Sequence, residues 1–470
     1  MERVQEILNH FSSPDLIVKR KFFALHISGV LLYNPDLSDA EMVVRLLKNL
    51  EQIQDKIQTA QEILDKHIPI AQTEITANEK RVIDAILSGD TVVVLDKMTG
   101  YILINTRFYE KRAVAEPPTS SVMQGPREGF VEDMKTNLSL IQKRIKSPSL
   151  TLKKFSVGKQ TNTSVVVAYL SNIASDKVVK HICKKIENLE IDGIIDSNYL
   201  RAFIEERPMS IFSQSGVSEK PDVVCAKILE GRVAVIVDGS PMILTFPFLL
   251  IEDFQSGEDY YQRSSFATFL RFVRLLGVIA AVFLPGLYVA LQVFHYNIIP
   301  MRFVLTLMSA VSGIPFKPLS ETIFVIMLFE LIREAGIRTP RAVGMAMSIV
   351  GALVLGETAV KAGIISSPAV MIVALSSLSL YTVPNQVGTM SILRIIFTLL
   401  GGVGGLYFIL LGAVFITFYL TSLNAFDSPY LAPFAPLVTN DMKDTFARVS
   451  FPRMKNRPTS IPNKNKRRQK

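Results

Sequence analysis

The feature that most constrains this chain is the length of its uncharged runs. Residues 275–294, 364–383 and 395–423 contain no Asp, Glu, Lys or Arg, and residues 343–360 contain only Glu357. About 20 apolar helical residues are enough to cross the roughly 30 Å hydrocarbon core of a bilayer. We therefore predict an α-helical polytopic membrane domain over residues 271–426, with spans near these four runs.

Residues 298–341 do not fit this simple pattern. Their apolar run is interrupted by the sequence Gly-Ile-Pro-Phe-Lys-Pro at 313–318, and it then resumes with several charged residues inside it: Glu321, Glu330, Arg333 and Glu334. A helix that faces lipid does not carry this many charged residues, whereas a broken or re-entrant segment buried among other helices can. We predict such a segment here.

The first 270 residues are patterned like a soluble α/β protein. Apolar residues recur at helical spacing in 39–66, and two hairpin-like patterns are visible at 92–104 and 233–246. We predict an α/β subdomain at 1–110, a Pro-rich and charged linker at 111–150, and a second α/β subdomain at 151–270. Whether the two subdomains are distant copies is left open by the sequence.

Residues 427–470 form a basic tail that we predict to be disordered. Its last 20 residues hold eight Lys or Arg and no acid, within a chain of net charge +9. Such a tail beside a span is a cytoplasmic topology signal or a patch for anionic lipid, and no basic-aromatic groove favours nucleic acid. The first thirty residues show no signal-peptide pattern, so we expect the α/β part to stay in the cytoplasm. Both ends are therefore predicted to be cytoplasmic, with an even number of crossings: four, or six if residues 298–341 cross twice.

Motifs for catalysis and metal binding are absent from the sequence. There is no phosphate-binding loop, no zinc-protease motif and no nucleophile elbow. The five histidines are scattered, and Cys183 and Cys225 have no metal-ligand spacing. We expect no enzymatic activity, no cofactor and no metal.

Several segments resemble the A subunits of the GerA family of spore germinant receptors. One runs from Gly125-Pro126-Arg127 through Phe130 to Arg144, and another is the pre-membrane segment that begins Asp259-Tyr260. The stretch from Phe329 to Arg338 resembles the family's membrane motif. The matching positions in the soluble part are Gly125, Pro126, Arg127, Glu132, Asn137, Arg144, Asp259 and Tyr260. Three departures are Gln142, Ile326 and Glu357, which stand where Arg, an acid and Gln are common.

The resemblance implies a multi-pass protein of the spore inner membrane that transduces nutrient sensing into germination. It implies a transporter-like B subunit and a lipoprotein C subunit as partners, and a homo-oligomer that can form an ion-conducting path. Two alternatives stay open. One is a related spore-membrane channel or transporter that acts without these partners, and the other is a membrane-anchored enzyme.

Charged residues in the membrane half are candidates for function. Glu330, Arg333 and Glu334 lie at i, i+3 and i+4 and share one helix face, whereas Glu321 falls on another face. They can form a buried ion pair that fixes packing, or line an ion path. Glu357 can be protonated, can face water, or can pair with Lys361 near the interface.

Small residues mark a possible contact surface in the last span. Gly401, Gly405 and Gly412 would lie on one face of a continuous helix. This face can pack within the chain or against a partner.

Overall fold

The computed structural model describes residues 2–54, 59–68, 70, 72–96, 98, 100–108, 124–339, 351 and 353–469. These residues form two α/β units, a helical domain and a C-terminal segment. Most of the predicted span 343–360 lies outside the described residues, and so do parts of the predicted linker and of the turn at 97–100.

The first unit contains four helices and a five-stranded antiparallel sheet of order β1-β2-β4-β5-β3. Its elements are α1 (Glu2–Asn9), β1 (Val18–Phe23), β2 (Ser28–Tyr33), α2 (Ala40–Glu51), α3 (Ala60–His67), β3 (Thr73–Thr76), α4 (Glu79–Leu87), β4 (Thr91–Leu95) and β5 (Tyr101–Ile104).

The second unit repeats this architecture with the sheet order β6-β7-β9-β10-β8. Its elements are α5 (Met134–Arg144), β6 (Leu150–Val157), β7 (Thr163–Leu170), α6 (Asp176–Glu187), α7 (Ser197–Ile204), β8 (Gly216–Ser218), α8 (Pro221–Leu229), β9 (Val233–Val237) and β10 (Ile243–Phe246).

The two units are built alike in three layers. In each, the helix before the first strand and the helix before the fourth strand cover one sheet face, as Ile7 and Ile86 do in the first unit. The two helices between the second and third strands cover the other face, as Ile182 and Leu200 do in the second unit. Central strands β4 and β9 are buried along their whole length, which explains their continuous β-branched runs. Both hairpins predicted from the sequence are present.

Helix α5 lies within the segment assigned to the linker. Its Leu138 and Ile141 pack against Val166 and Ile228 in the core of the second unit. The structure therefore differs from the linker prediction for residues 124–150, because α5 supplies one of the layers that the second sheet needs.

The helical domain follows residue 263. Its elements are α9 (Ser264–Val293), α10 (Met301–Val311), α11 (Pro318–Arg338), a π-helical turn (Val354–Ala359), α12 (Ser367–Leu380) and α13 (Val387–Ser422). Among the described residues, two helical stretches are long and apolar enough to cross a membrane by length and composition: Ser264–Val293 and Pro384–Ser422.

Helix α13 reverses direction at Gly405. This glycine has φ 64° and ψ −150°, which is far from helical geometry. A Cβ on Gly412 would lie 2.6 Å from Leu400 Cδ1 and 3.1 Å from Phe397 Cε1. Those residues would be some 18–22 Å apart in a straight helix. The element is therefore a hairpin with two arms, residues 387–404 and 406–422.

This hairpin differs from the single span predicted over residues 395–423. Its two ends lie together, since Thr389 donates a hydrogen bond to the Ile211 carbonyl and the ring of Phe212 lies 6.3 Å from that of Tyr419. Because Gly405 forms the turn, it shares no helix face with Gly401 and Gly412. The uncharged run simply continues through the reversal.

The directions of the helices follow from pairs of neighbouring residues. Gly286 of α9 lies against Phe397, and further on His295 lies against Gly405, so α9 and the first arm run in the same direction. Helix α11 runs the opposite way, since its Leu319 lies against Gly402 and its later Glu330 meets Arg394. We call the end nearest the α/β units proximal and the end at Gly405 distal. The described chain enters and leaves the helical domain at the proximal end.

The C-terminal segment packs against the α/β units, although we predicted disorder from its composition. Lys464 pairs with Asp176 at 2.7 Å, and Arg457 donates to the Leu229 carbonyl at 2.8 Å. Phe446 packs edge-to-face against Phe254 with ring centroids 5.7 Å apart. Acidic and carbonyl groups of the second unit thus hold a segment whose charge alone suggested a free tail.

Candidate functional site

A charged network joins α11 to the first arm of α13 inside the helical domain. The Glu330 carboxylate accepts from Arg394 at 2.5 Å and from Arg333 at 2.6 Å. The Arg394 side chain is 1% exposed. Arg394 lies seven residues into the arm, about 10 Å from its proximal end. Its guanidinium is therefore neutralised within the protein.

Serine hydroxyls complete the network. Arg394 donates to Ser377 of α12 at 2.8 Å, and Arg333 donates to Ser391 at 3.1 Å. Two guanidinium groups thus share one carboxylate, so the network carries a net positive charge. A buried positive centre of this kind disfavours the passage of cations along it. The network therefore serves to pack α11, α12 and α13 together.

Two of the predicted polar residues lie elsewhere. Glu334 is half exposed and pairs with Arg338 at 2.6 Å, away from Glu330. Glu357 is also exposed and pairs with Lys361 at 2.5 Å, which is the third of the arrangements considered from the sequence. Neither side chain enters the network around Glu330.

Glu321 occupies a separate buried position near the distal end. Its side chain is fully buried, and Oε1 accepts the Ser366 backbone N–H at 2.5 Å. Ser366 is the N-cap of α12. The contact therefore joins the first turn of α11 to the start of the next helix.

A second charged network connects the α/β units, the helical domain and the C-terminal segment at the proximal end. Asp259 accepts from Arg271 at 2.9 Å and from Arg274 at 2.8 Å. Arg271, which is fully buried, also donates to Asp444, and the Tyr260 hydroxyl reaches the same carboxylate at 2.7 Å. The predicted pair Asp259-Tyr260 thus forms the joint between three parts of the chain.

The protonation of the two acids differs. Burial acts to raise the pKa of Asp259, but hydrogen bonds and charge from Arg274 outweigh it, so its pKa is lowered. Burial dominates at Asp444 and raises its pKa despite Arg271. Asp259 is therefore the fixed anion of the joint, and Asp444 is the one that more readily accepts a proton.

The other predicted motif residues lie where the second unit begins. Gly125 has φ 128°, and a Cβ there would lie 2.7 Å from the Tyr261 ring. The Asn137 side chain is fully buried, and it bonds both the N–H and the carbonyl of Val131. Arg144 pairs with Glu128. These contacts fix the chain segment ahead of α5. Pro126, Arg127 and Glu132 show no comparable side-chain contact in the described residues.

The glycines predicted to form a helix contact have separate roles. A Cβ on Gly401 would meet the Gly286 backbone of α9, so this face packs within the chain. Gly405 forms the hairpin turn described above.

Arg394 was not among the residues predicted from the sequence. It is the only charged residue between Lys361 and Asp427, and it stands immediately before the uncharged run at 395–423. An isolated Arg in such a stretch indicates a partner inside the domain. Asp444 was missed as well, since nothing local links it to Arg271.

Comparison with known proteins places these features in context. The family model described as Bacillus/Clostridium GerA spore germination protein matches residues 2–460. The chain is 34% identical to Spore germination protein KA of Bacillus subtilis, over 97% of this chain and 86% of that protein. It is 34% identical to Spore germination protein GerLA of Bacillus cereus, over 98% and 96%.

A third relative and one solved structure are also similar. The chain is 32% identical to the Uncharacterized membrane protein YfkQ of Bacillus subtilis, over 94% of this chain and 87% of that protein. The crystal structure of the N-terminal domain of the A subunit of the Bacillus megaterium spore germinant receptor GerK3 is 28% identical, with a TM-score of 0.40, and the match covers 52% of this chain and 91% of that one.

Proposed function

The chain belongs to the GerA family of spore germination proteins, and from this premise we propose that it is the A subunit of a nutrient germinant receptor in the spore inner membrane. The observation that carries the proposal is the extent of the similarity. The similarity covers nearly all of this chain and most of the length of two relatives, which are themselves named spore germination proteins. The family resemblance seen in the sequence is thereby confirmed.

In this proposal the helical domain spans the membrane. Two described stretches have the length and composition for it, and the described chain enters and leaves that domain at one end. The crossings would be α9, α11, the 343–360 span, α12 and both arms of α13. That is an even number, six rather than four, because α11 and the second arm of the Gly405 hairpin add to the four spans predicted from the sequence. The α/β units and the C-terminal segment would be cytoplasmic.

The proposed partners are a transporter-like B subunit, a lipoprotein C subunit and further copies of this chain. Exposed apolar residues on the α13 arms, such as Val403, Phe415 and Phe418, favour lipid or partner contact. An ion-conducting path in such an oligomer would have to avoid Arg394, because its network is closed and net positive. The exposed faces between protomers are the better place for it.

The role is tested in spores of the host. Deleting this chain should abolish the response to at least one nutrient while leaving germination by a non-nutrient trigger intact, and the restored gene should recover it. An affinity-tagged chain should co-purify a B-type and a C-type subunit. A full nutrient response without the chain, together with no co-purified partner, would reject the receptor role.

Topology is tested separately. A reporter fused after Lys470 should behave as a cytoplasmic protein. A cysteine at exposed Ser312 should react with an impermeant thiol reagent from outside, and one at exposed Gln160 should not. The native Cys183 and Cys225 are buried and provide a low background. Labelling of Gln160→Cys from outside would overturn the orientation.

A second candidate function is a membrane protein that acts without the receptor partners. The similarity to YfkQ supports this alternative, because the name of YfkQ describes a membrane protein and mentions no role in germination. Its signature would be a germination or transport defect in the deletion strain with no B-type or C-type chain co-purifying.

A further inference from the structure

Glu321 is a buried carboxylate without a counter-charge among the described residues. Its side chain is fully buried, and its only described hydrogen bond is from the Ser366 backbone N–H to Oε1. Its second oxygen, Oε2, is buried and has no hydrogen-bond partner in the described part of the chain. Leaving a buried carboxylate without a counter-charge is costly, so this oxygen is a candidate ligand for a cation.

Two further oxygens beside it are also unpartnered. The Tyr288 hydroxyl and the Gln292 Oε1 atom are buried, and neither has a hydrogen bond of good geometry to described residues. Tyr288 and Gln292 are one turn apart on α9. Tyr288 packs with Leu319 and Ala369, which lie two residues before Glu321 and three residues after Ser366. Helices α9 and α11 thus direct a carboxylate, a hydroxyl and an amide oxygen toward one region near the distal end, beside the start of α12.

The composition of this group identifies the class of ligand. All the free atoms are oxygens, which are the ligands that hard cations prefer. There is a single carboxylate, so one positive charge neutralises it and a divalent ion would leave an excess. The Tyr288 hydroxyl oxygen has lone pairs that can face the ion.

We propose that Glu321, Tyr288 and Gln292 bind one monovalent alkali cation between α9, α11 and the start of α12. The ion would neutralise Glu321 and fasten the distal ends of the three helices together. This site is distinct from the Glu330 network, which is closed by its own arginines. It does not depend on the receptor role, because it concerns ion binding by the chain itself.

The test uses the purified full-length chain in detergent, with thermal unfolding in Na⁺, K⁺ or choline salts of equal ionic strength. Choline is too large for the site and controls for screening. We expect one alkali ion to raise the unfolding midpoint by about 3 °C at roughly a hundred times its Kd. Equilibrium binding of ²²Na⁺ or ⁸⁶Rb⁺ should saturate at one ion per chain.

Variants identify the residues. Glu321→Gln should abolish both the shift and the radioisotope binding, and Tyr288→Phe should raise the half-saturating concentration at least severalfold. Glu334→Gln is the matched control, because this exposed acid of the same helix pairs with Arg338. If Glu321→Gln fails to fold, Gln292→Met takes its place. Equal midpoints in choline and alkali salts, or undiminished binding in Glu321→Gln, would overturn the proposal.

Discussion

Arg394 of α13 and Glu330 of α11 form a 2.5 Å ion pair in which the arginine side chain is 1% exposed. Removing one member of a buried pair is far more costly than removing both, because the remaining charge is left without compensation. Here the members are not equivalent. Glu330 also binds Arg333, whereas Arg394 has only serine hydroxyls besides Glu330 among the described residues.

Glu330→Gln should therefore destabilise the chain more than Arg394→Met. The first change strands two guanidinium groups, at a cost on the order of 3 kcal/mol, and the second leaves Glu330 paired with Arg333. The double variant should be more stable than the sum of the two single effects predicts. Thermal unfolding in detergent measures all three, and Glu334→Gln should stay within about 0.5 kcal/mol of the parent. Additive effects would show that the pair is not coupled.

Local patterns accounted for the strands, hairpins and helices of the α/β units, because periodicity reports which face of an element is buried. They did not reveal the reversal at Gly405. A hydropathy pattern does not detect a turn that contains neither a charged residue nor a proline. The sequence indicated this turn only by the length of the uncharged run, 29 residues, and by its glycines at 401, 402, 404 and 405. The contact of Glu321 with Ser366 and that of Arg271 with Asp444 join residues 45 and 173 positions apart. No local pattern predicts such contacts.

The hairpin turn should be sensitive to any side chain at Gly405. Its φ of 64° with ψ −150° is a conformation that essentially only glycine adopts, and an added Cβ would also lie 2.7 Å from His295. Gly405→Ala should cost on the order of 1–3 kcal/mol. Gly388→Ala is the control, because Gly388 lies in the same helix with nothing within 4 Å of the added Cβ. If the unfolding curves of the two variants in detergent coincide, the reversal of the chain at Gly405 is contradicted.

The C-terminal segment should loosen when Asp444 is changed. Asp444→Asn weakens the ion pair with buried Arg271, which keeps Asp259 as a partner, so the helical domain should persist while the segment detaches. We expect trypsin to cut at Arg448 and Arg453 several times faster in this variant. Asp427 lies at an exposed position just after the hairpin, so trypsin should cut the Asp427→Asn variant at the parental rate. Equal rates in all three proteins would show that Asp444 does not hold the segment.

Asp253 should make stability depend on pH. It is buried where the second unit meets the turn before α13, and Gln386 donates to its Oδ2 at 2.8 Å. Burial raises the pKa of Asp253 to about 7, although Gln386 opposes the shift. Three charged groups face Asp253. Glu252 favours the protonated form of Asp253, and Lys227 and Arg201 favour its ionised form.

The sign follows from proton binding. Between its ordinary pKa of 3.8 and about 7, Asp253 holds a proton in the folded chain but not in the unfolded one, so stability falls as the pH rises through this window. Asp253→Asn keeps an acceptor for Gln386 and has no charge to bury. At about pH 8 it should be more stable than the parent by an amount on the order of a few kcal/mol, and near pH 4 the difference should vanish. Asp192→Asn, at an exposed site of the same unit, should follow the parent at both pH values. A constant difference between Asp253→Asn and the parent across the window would mean that Asp253 does not titrate there.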